Sequence, residues 1–299
     1  MKSNCQNLDI TAVVLNWRSP LDTVRCVESL LQFCIPLSRV VVIDNNSNDD
    51  SAGMISKRLQ PHIIQNRVYV IENDVNSGYA GGNNYGLKFS EQFFDSDYYW
   101  IVNNDARVSN DALTPLLRKF EVGDDKQFVG SVILQDGSGI VECYGGGAFY
   151  PILGKCRLLG KGLDLEKVIT LKKNPDYIMG CSMIFPRKLI HEVGYMDESY
   201  FMYSEELDWQ YRSFTKGYRL NVASDSIVYH QGSGSAGGKS PFYFYYRNRA
   251  AIKFNLKFYG FGFSLISAVF LSAITIVLEI QRPRNLLSGV KGVFNGFKK

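Results

Sequence analysis

No two cysteines in this chain are spaced CxxC, and none stands in a zinc-ligand pattern. That excludes a dithiol redox motif and a zinc module. The six cysteines (Cys5, Cys26, Cys34, Cys143, Cys156 and Cys181) lie apart, several inside apolar runs such as IMGCSMIF. They are expected to be small buried hydrophobes in a reducing compartment. The opening residues, MKSNCQNLDI, lack the apolar core of a signal peptide, so the body is expected to stay in the cytosol. Internal repeats are absent. Acidic residues nearly vanish after residue 240, where nine Lys or Arg face Glu279 alone. This tail therefore carries +8 and the first 240 residues −4 of the chain's net +4. Basic residues confined to an apolar tail argue against nucleic acid and for an anionic surface such as the cytoplasmic leaflet.

What is present fits one large folded domain or two smaller ones: 299 residues, 45% apolar and 21% charged. The first half alternates. DITAVVLNW, VVVID, VYVIEN and YYWIVNNDARV are apolar runs of strand length. Between them lie a helix opened by Pro20 and running to about Phe33, a helix of about ten residues after NNSNDD, and a glycine-rich loop, NSGYAGGNNYGLKF, leading into a helix. Continuous apolar strands alternating with helices predict a parallel sheet covered on both faces. In the second half FVGSVILQ, YIMGCSMIFP and RLNVASDSIVYH read as strands, and residues 136–162 as hairpin and loop. SEELDWQYRSFTKG reads as a helix with Ser204 as N-cap and Gly217 beyond its C-terminus. Residues 231–240, rich in Gly and Ser, are the hinge or lid candidate. Residues 241–260 read as an aromatic, basic helix. Residues 261–278 contain no charge and sit at the short edge of what spans a bilayer. This tail is expected to lie on or dip into the membrane, the alternative being a buried core or dimer helix.

Acidic segments stand where strands or helices should end or begin: Asp44, Asp105, and Glu205 with Glu206. Open α/β sheets hold ligands at strand ends. Carboxylates gathered there can bind Mg²⁺ or Mn²⁺, which in turn can hold a diphosphate. That combination points to a nucleotide-sugar enzyme. Each feature also has a plainer explanation. NND at 103–105 suits an Asx turn, and NNSND suits a helix cap. Three acids in the first turn of a helix suit its dipole, and Asp208 with Arg212 is an ordinary i,i+4 pair. Trp17 and a lone His230 could simply be core residues. NSGYAGGNNYG contains neither a GKS or GKT ending nor a GxGxxG fingerprint, so it is no P-loop or dinucleotide turn.

The ordered set VVLNW, VVVIDNNSND, NSGYAGGNNYG, WIVNNDARV, YIMGCSMIFPR, GYMDESYFMYSEELDWQYR and VYHQGSGS resembles the family-2 glycosyltransferases, in particular bacterial rhamnosyltransferase-like members, over about residues 9–260. The resemblance implies a GT-A fold: a Rossmann-like α/β body with a mostly parallel sheet and helices on both faces. This body would occupy residues 1–240, with a nucleotide-sugar half to about residue 135 and an acceptor half to 240. A membrane-associating helical tail would follow from 241 to 299. It further implies that Leu15, Asn16 and Trp17 floor the base pocket and that Asp44 and Asn45 read the base or ribose. Gly78 and Asn83 would lie along the nucleotide. Asn103 and Asn104 would neighbour Asp105, which with His230 would hold Mg²⁺ or Mn²⁺. The family's metal motif usually has two acids, and here Asn103 replaces the first. Of the acids at 205, 206 and 208, Glu206 is expected as catalytic base with Glu205 as the alternative, and Asp208 completes the candidate set. Trp209 would stack on the acceptor sugar. The donor implied is dTDP-L-rhamnose, with UDP- and GDP-sugars as alternatives, and the acceptor a lipid-linked saccharide of surface polysaccharide such as O-antigen. A homo-oligomer stays open. Two rivals compete. A sugar nucleotidyltransferase needs a GxGxR-type loop after strand one, where LNWRSP has no glycine. A non-catalytic membrane scaffold of the same fold would have lost the acids, which are present.

Overall fold

The computed structural model describes residues 8–32, 37–171, 173–232 and 240–298. In chain order the first half runs β1 (Ile10–Asn16), α1 (Pro20–Leu30), β2 (Arg39–Asp44), α2 (Ser51–Arg58), α3 (Gln60–Ile64), β3 (Val68–Glu72), α4 (Gly78–Phe93), β4 (Tyr98–Asn103), β5 (Ala106–Val108), α5 (Leu113–Val122) and β6 (Gln127–Gln135). Then come β7 (Val141–Tyr144), β8 (Gly146–Tyr150), a 3₁₀ turn at Pro151–Leu153, β9 (Lys155–Leu158), α6 (Leu165–Val168), β10 (Tyr177–Ile178), β11 (Ser182–Pro186), α7 (Lys188–Val193), α8 (Glu205–Phe214) and β12 (Arg219–His230). Three helices close the chain: α9 (Pro241–Phe258), α10 (Gly260–Glu279) and α11 (Pro283–Gly296).

The main sheet is ordered β3-β2-β1-β4-β11-β6-β12-β5, with β7 beside β6. β1 pairs in parallel with β2 and β4, and β2 with β3, as the apolar runs predict. Side chains alternate between faces with period two. Val14, Val42 and Val102 pack on one face in a cluster with α1, α2 and α5. Val13, Val41, Ile43 and Ile101 pack on the other with Leu87 of α4, Leu189 of α7 and Trp209 of α8. Both faces are therefore dry, and strands that must be apolar on both sides cannot show a polar alternation.

Two predicted strands are broken. YYWIVNNDARV is not one strand: β4 stops at Asn103, the chain turns at Asn104 and Asp105, and β5 pairs antiparallel with β12. YIMGCSMIFP divides into β10, in a small antiparallel sheet with β8 and β9, and β11, which enters the main sheet antiparallel to β4 and β6. In the first case a turn aims a carboxylate off the sheet; in the second the chain changes sheets. The glycine-rich segment also differs from expectation. The helix begins at Gly78, so Gly81, Gly82 and Gly86 lie within α4. They are small because α4 lies close on the sheet: a Cβ on Gly82 would meet Leu15 at 2.4 Å, and one on Gly86 would meet Ile43 at 2.4 Å. The tail is not a loose appendage, since Phe254 of α9 shares a cluster with Tyr177, Tyr200 and Leu207 of the body. Most of the hinge or lid candidate, residues 233–239, lies outside the described residues, as do Cys5 and Cys34. The remaining four cysteines are free, and all but Cys156 are buried.

Candidate active site

Parallel pairing puts the ends of β1, β2 and β4 side by side: Asn16 is level with Asp44, and Leu15 with Asn103. Beyond these ends a cavity of about 210 Å³ is lined by Leu15, Trp17, Asn45, Asn76, Gly78, Tyr79, Asn103, Asn104, Asp105, Phe201, Met202 and Phe242. It joins apolar walls to a few polar groups, as ligand sites do. Seven expected residues face it: Leu15, Trp17, Asn45, Gly78, Asn103, Asn104 and Asp105.

Beneath the cavity a polar chain ties the strand ends together. Asn104 Nδ2 donates to Thr23 Oγ1 (3.0 Å), Thr23 Oγ1 to Asn16 Oδ1 (2.7 Å), and Asn16 Nδ2 to Asp44 Oδ1 (2.6 Å). Ser47 donates its hydroxyl to Asp44 Oδ1 (2.6 Å) and its backbone N–H to Oδ2 (2.9 Å). Asp44 and Asn16 are thus buried, outside the cavity lining, and fully engaged. Asp44 and Asn16, expected at the base pocket, brace the strand ends in this structure. Asn45 faces the cavity but is also engaged, its Nδ2 donating to Asn76 Oδ1 and Gly78 O (both 3.1 Å) while its Oδ1 accepts from Asn73 and Ser77. It clamps the 73–78 loop. Gly78 has φ +70°, and a Cβ there would fall 1.9 Å from the Phe201 carbonyl. No other residue could bring the loop that close. Asn83 is buried in α4 outside the cavity lining, where its Nδ2 donates to Tyr79 O (2.9 Å) and its Oδ1 is buried without a partner.

Asp105 sits on the turn after β4. Its Oδ1 lies 3.2 Å from His230 Nε2, and His230 Nδ1 lies 2.8 Å from Glu142 Oε2. Burial of the ring opposes its charge, but hydrogen bonds to and charges on Asp105 and Glu142 outweigh that and hold its pKa up at about 10. A carboxylate fixing the far ring nitrogen is the usual support for a metal-binding histidine. Among the described residues no three His, Cys, Asp or Glu side chains converge on one point. The protein thus offers one carboxylate oxygen and, once a metal displaces the proton held between Asp105 and His230, one imidazole nitrogen, which fits an ion that takes its other ligands from a diphosphate and water.

Tyr79 joins the two halves of the site. It lines the cavity beside Asp105 and donates to Gly180 O (2.9 Å). The N–H of Gly180 in turn acts on the Glu206 carboxylate, opposing the rise in its pKa that burial causes. Burial pushes the Tyr79 hydroxyl far up in pKa, and the charges of Glu206, Glu205 and Asp105 add to it. The phenol thus feels all three carboxylates, although of these only Asp105 shares the cavity lining with it. Tyr203 and Ser204, at φ +71° and +67°, set the entry into α8. Two adjacent non-glycine residues held there cost about 1–2 kcal/mol each, strain of the kind found at working sites. Ser204 stands at the N-cap but its side chain makes no capping bond. Glu205 is buried and Glu206 partly open, and an Oε2 of each is buried without a partner. Burial raises the pKa of both, and for Glu205 the neighbouring Glu206 charge raises it further.

The other two candidates on α8 are engaged within the protein. Asp208 is buried in ion pairs with Arg212 Nε (2.8 Å) and Lys257 Nζ (2.7 Å), which tie α8 to α9. Trp209 is fully buried edge-on against Phe128 and Phe185 and donates to Gly194 O (2.7 Å), which leaves no face for a sugar. Sequence reasoning missed Tyr79, Glu142, Phe201 and Phe242. Tyr79 was visible inside the glycine-rich segment NSGYAGGNNYG, whereas Glu142, in the short strand VECY, carried no signal.

A family model described as Glycosyl transferase family 2 matches residues 12–194. The chain belongs to that family. As a family-2 glycosyltransferase it can be set beside known proteins. It is 23% identical over 222 residues to the low-salt glycan biosynthesis hexosyltransferase Agl10 of Haloferax volcanii, covering 74% of this chain and 66% of that protein. In fold it is similar to the mannosyltransferase PcManGT of Pyrobaculum calidifontis, solved with GDP-Man and Mn²⁺ (TM-score 0.58, 13% identity, 96% of this chain and 85% of that one). It is also similar to TarS 1-349 of S. aureus with UDP-GlcNAc (TM-score 0.55, 14% identity, 96% and 91%). The mixed, mostly parallel sheet is that of the GT-A transferases.

Proposed function

We propose that this glycosyltransferase moves L-rhamnose from dTDP-L-rhamnose, with inversion, onto a lipid-linked glycan at the cytoplasmic face of the membrane, in synthesis of a surface polysaccharide such as O-antigen. The observation that supports the chemistry is that Tyr79, which lines the cavity with Asp105, also feels the charges of Glu205 and Glu206, which stand at the start of α8 outside that lining. Asp105 and His230 would hold Mg²⁺ or Mn²⁺, which when bound offsets charge on a leaving diphosphate. Glu206, the more open of the pair, takes the proton from the acceptor hydroxyl. The acceptor oxygen bonds to the anomeric carbon as the bond to the diphosphate oxygen breaks. One base suffices, and no sugar-enzyme bond forms.

The rhamnose reading rests on Asn45, where a second acid is usual, and on the motif resemblance. The names of the relatives support other hexoses, with GDP-mannose in one neighbour and UDP-GlcNAc in another. A donor panel on membranes holding the protein tests this. dTDP-L-rhamnose should be consumed at least about tenfold faster than UDP- or GDP-sugars, a difference of about 1.4 kcal/mol. Preference for a UDP- or GDP-sugar would replace the donor and leave the transferase reading intact.

Membrane association is supported by α10, which is built inside out. Ser264, Ser267, Thr275 and Glu279 are buried toward the protein, while Val269, Val277 and Ile280 are 69%, 76% and 66% exposed. The inner face is bonded: Asn248 donates to Thr275 Oγ1 (3.0 Å), Asn255 to Ser267 Oγ (2.9 Å), and Asn285 to Glu279 Oε2 (2.8 Å). The helix is long and apolar enough to cross a membrane. With one face tied to a polar body, however, it lies in the interface with its apolar face down. The double variant V269D/V277D should fold normally yet bind anionic vesicles at least about tenfold more weakly in co-sedimentation, since each exposed valine that enters lipid contributes about 1.5 kcal/mol or more.

A further inference from the structure

A second cavity, of about 960 Å³, opens beside the small sheet, and its lining shares no residue with the cleft around Asp105. Its charged lining residues are all basic: Lys155, Arg157, Lys161 and Lys173. Among the described residues no carboxylate pairs with any of the four. Four uncompensated cations around one hollow suit an anion of more than one charge, such as a phosphate or diphosphate.

Its walls indicate what the anion is attached to. On one side is Leu153, in the turn Pro151–Leu153. This turn accepts bonds from Asn255 of α9 at Pro151 O (2.9 Å) and from Ser267 of α10 at Ile152 O (2.9 Å). The cavity therefore adjoins the helix whose apolar face is turned outward. On the other side is Cys156, packed in the cluster of Tyr177 and Leu207, the latter next to Glu206. Burial pushes the Cys156 thiol up to about 12, a hydrogen bond with Tyr177 opposes the rise, and the Glu206 charge adds to it. The cavity thus adjoins the turn bonded to α9 and α10 on one side and, on the other, the cluster that includes Leu207 of α8.

We propose that this cavity seats the anionic linker of the acceptor: the diphosphate of a polyprenyl diphosphate glycan, with its chain on the exposed face of α10 and its sugar toward Glu206. The proposal rests on the acceptor being lipid-linked. The test is binding of farnesyl diphosphate to the full chain without divalent ions, compared with farnesol, inorganic pyrophosphate and phosphatidylcholine vesicles containing phosphatidylglycerol. Wild type should bind farnesyl diphosphate at least about tenfold more tightly than farnesol or pyrophosphate. K155Q/R157Q and K161Q/K173Q, each checked for an unchanged unfolding temperature, should each lose about tenfold or more for farnesyl diphosphate and keep vesicle binding. Equal binding by variants and wild type would overturn the site. Farnesol binding as well as its diphosphate would make it a purely apolar groove. Pyrophosphate binding as well would make it a soluble-anion site, and a parallel loss of vesicle binding would make it a general headgroup patch. No turnover is needed. Binding through the cations without transfer to lipid-linked glycan counts against the lipid-linked acceptor alone, and transfer without dependence on the cations counts against this site alone.

Discussion

Asp105→Asn should lower sugar transfer by about 10³-fold, a barrier increase of about 4 kcal/mol, while the protein remains folded. The carboxylate is on a turn at the edge of the sheet and the amide has the same shape, so packing is kept. The backbone carbonyl of residue 105 still accepts from Gln231 N (3.0 Å). What is lost is the one acid at the strand end, because Asn103 and Asn104 carry no charge to replace it. In a metal titration the variant should need far more Mg²⁺ or Mn²⁺ to reach its residual rate, with the KM for donor raised alongside. Transfer at wild-type rate and ordinary metal dependence would remove Asp105 from the site. His230 cannot substitute for it, since an imidazole alone leaves a divalent ion without an anionic ligand from the protein.

For Glu206→Gln the expected fall is about 10²–10⁴-fold in kcat, the usual worth of a general base, with little change in donor binding. The same substitution should make the protein more stable at neutral pH. Burial raises the Glu206 pKa, so the folded state holds its proton more tightly than the unfolded chain does. Such a group favours folding below its unfolded pKa and loses that contribution as pH rises through the folded pKa. At neutral pH the ionised carboxylate is therefore a cost that the amide does not carry. Rate depends on pH in the opposite sense. The base must be ionised, so wild-type transfer should decline on acidification at a pH above the ordinary carboxylate value of about 4.3, and this acid limb should vanish in the variant. A Glu206→Gln protein that is slower but no more stable and keeps the acid limb would place the base elsewhere, with Glu205 the next candidate.

The parts of this protein that could be read from the sequence are those fixed by local chemistry. The β-branched runs at 10–16 and 39–44 had to be buried strands, because such residues pack well in a pleated surface dry on both faces. Pro20 marked a helix start for a backbone reason that holds in any fold. Asp105 was found because strand ends in such sheets face ligands, whereas the cavity residues Leu15, Trp17, Asn45 and Gly78 were implied by the family resemblance. The tail betrayed itself through charge and apolar length.

Asp44, Asn16, Asp208 and Trp209 share one feature that residue order does not reveal. They are polar or aromatic residues beside the site whose side chains are spent on the protein itself. A sequence shows that a carboxylate or indole is present, but not whether its atoms are already bonded. For Asp208 the deciding partner is Lys257, 49 positions away on α9. For Trp209 it is the aromatic pair Phe128 and Phe185.

The ordered motifs suggested the family by resemblance, and residue type with near-neighbour spacing was enough for the alternation of strands and helices and for the polarity of the tail. Which carboxylates face the cavity, and which are bonded away, was settled by the folded chain. So were the position of Tyr79 between Asp105 and Glu206 and the outward turn of the apolar side of α10. These are outcomes of contacts between distant segments, where hydrogen-bond saturation and burial choose among side chains that look alike in the linear chain.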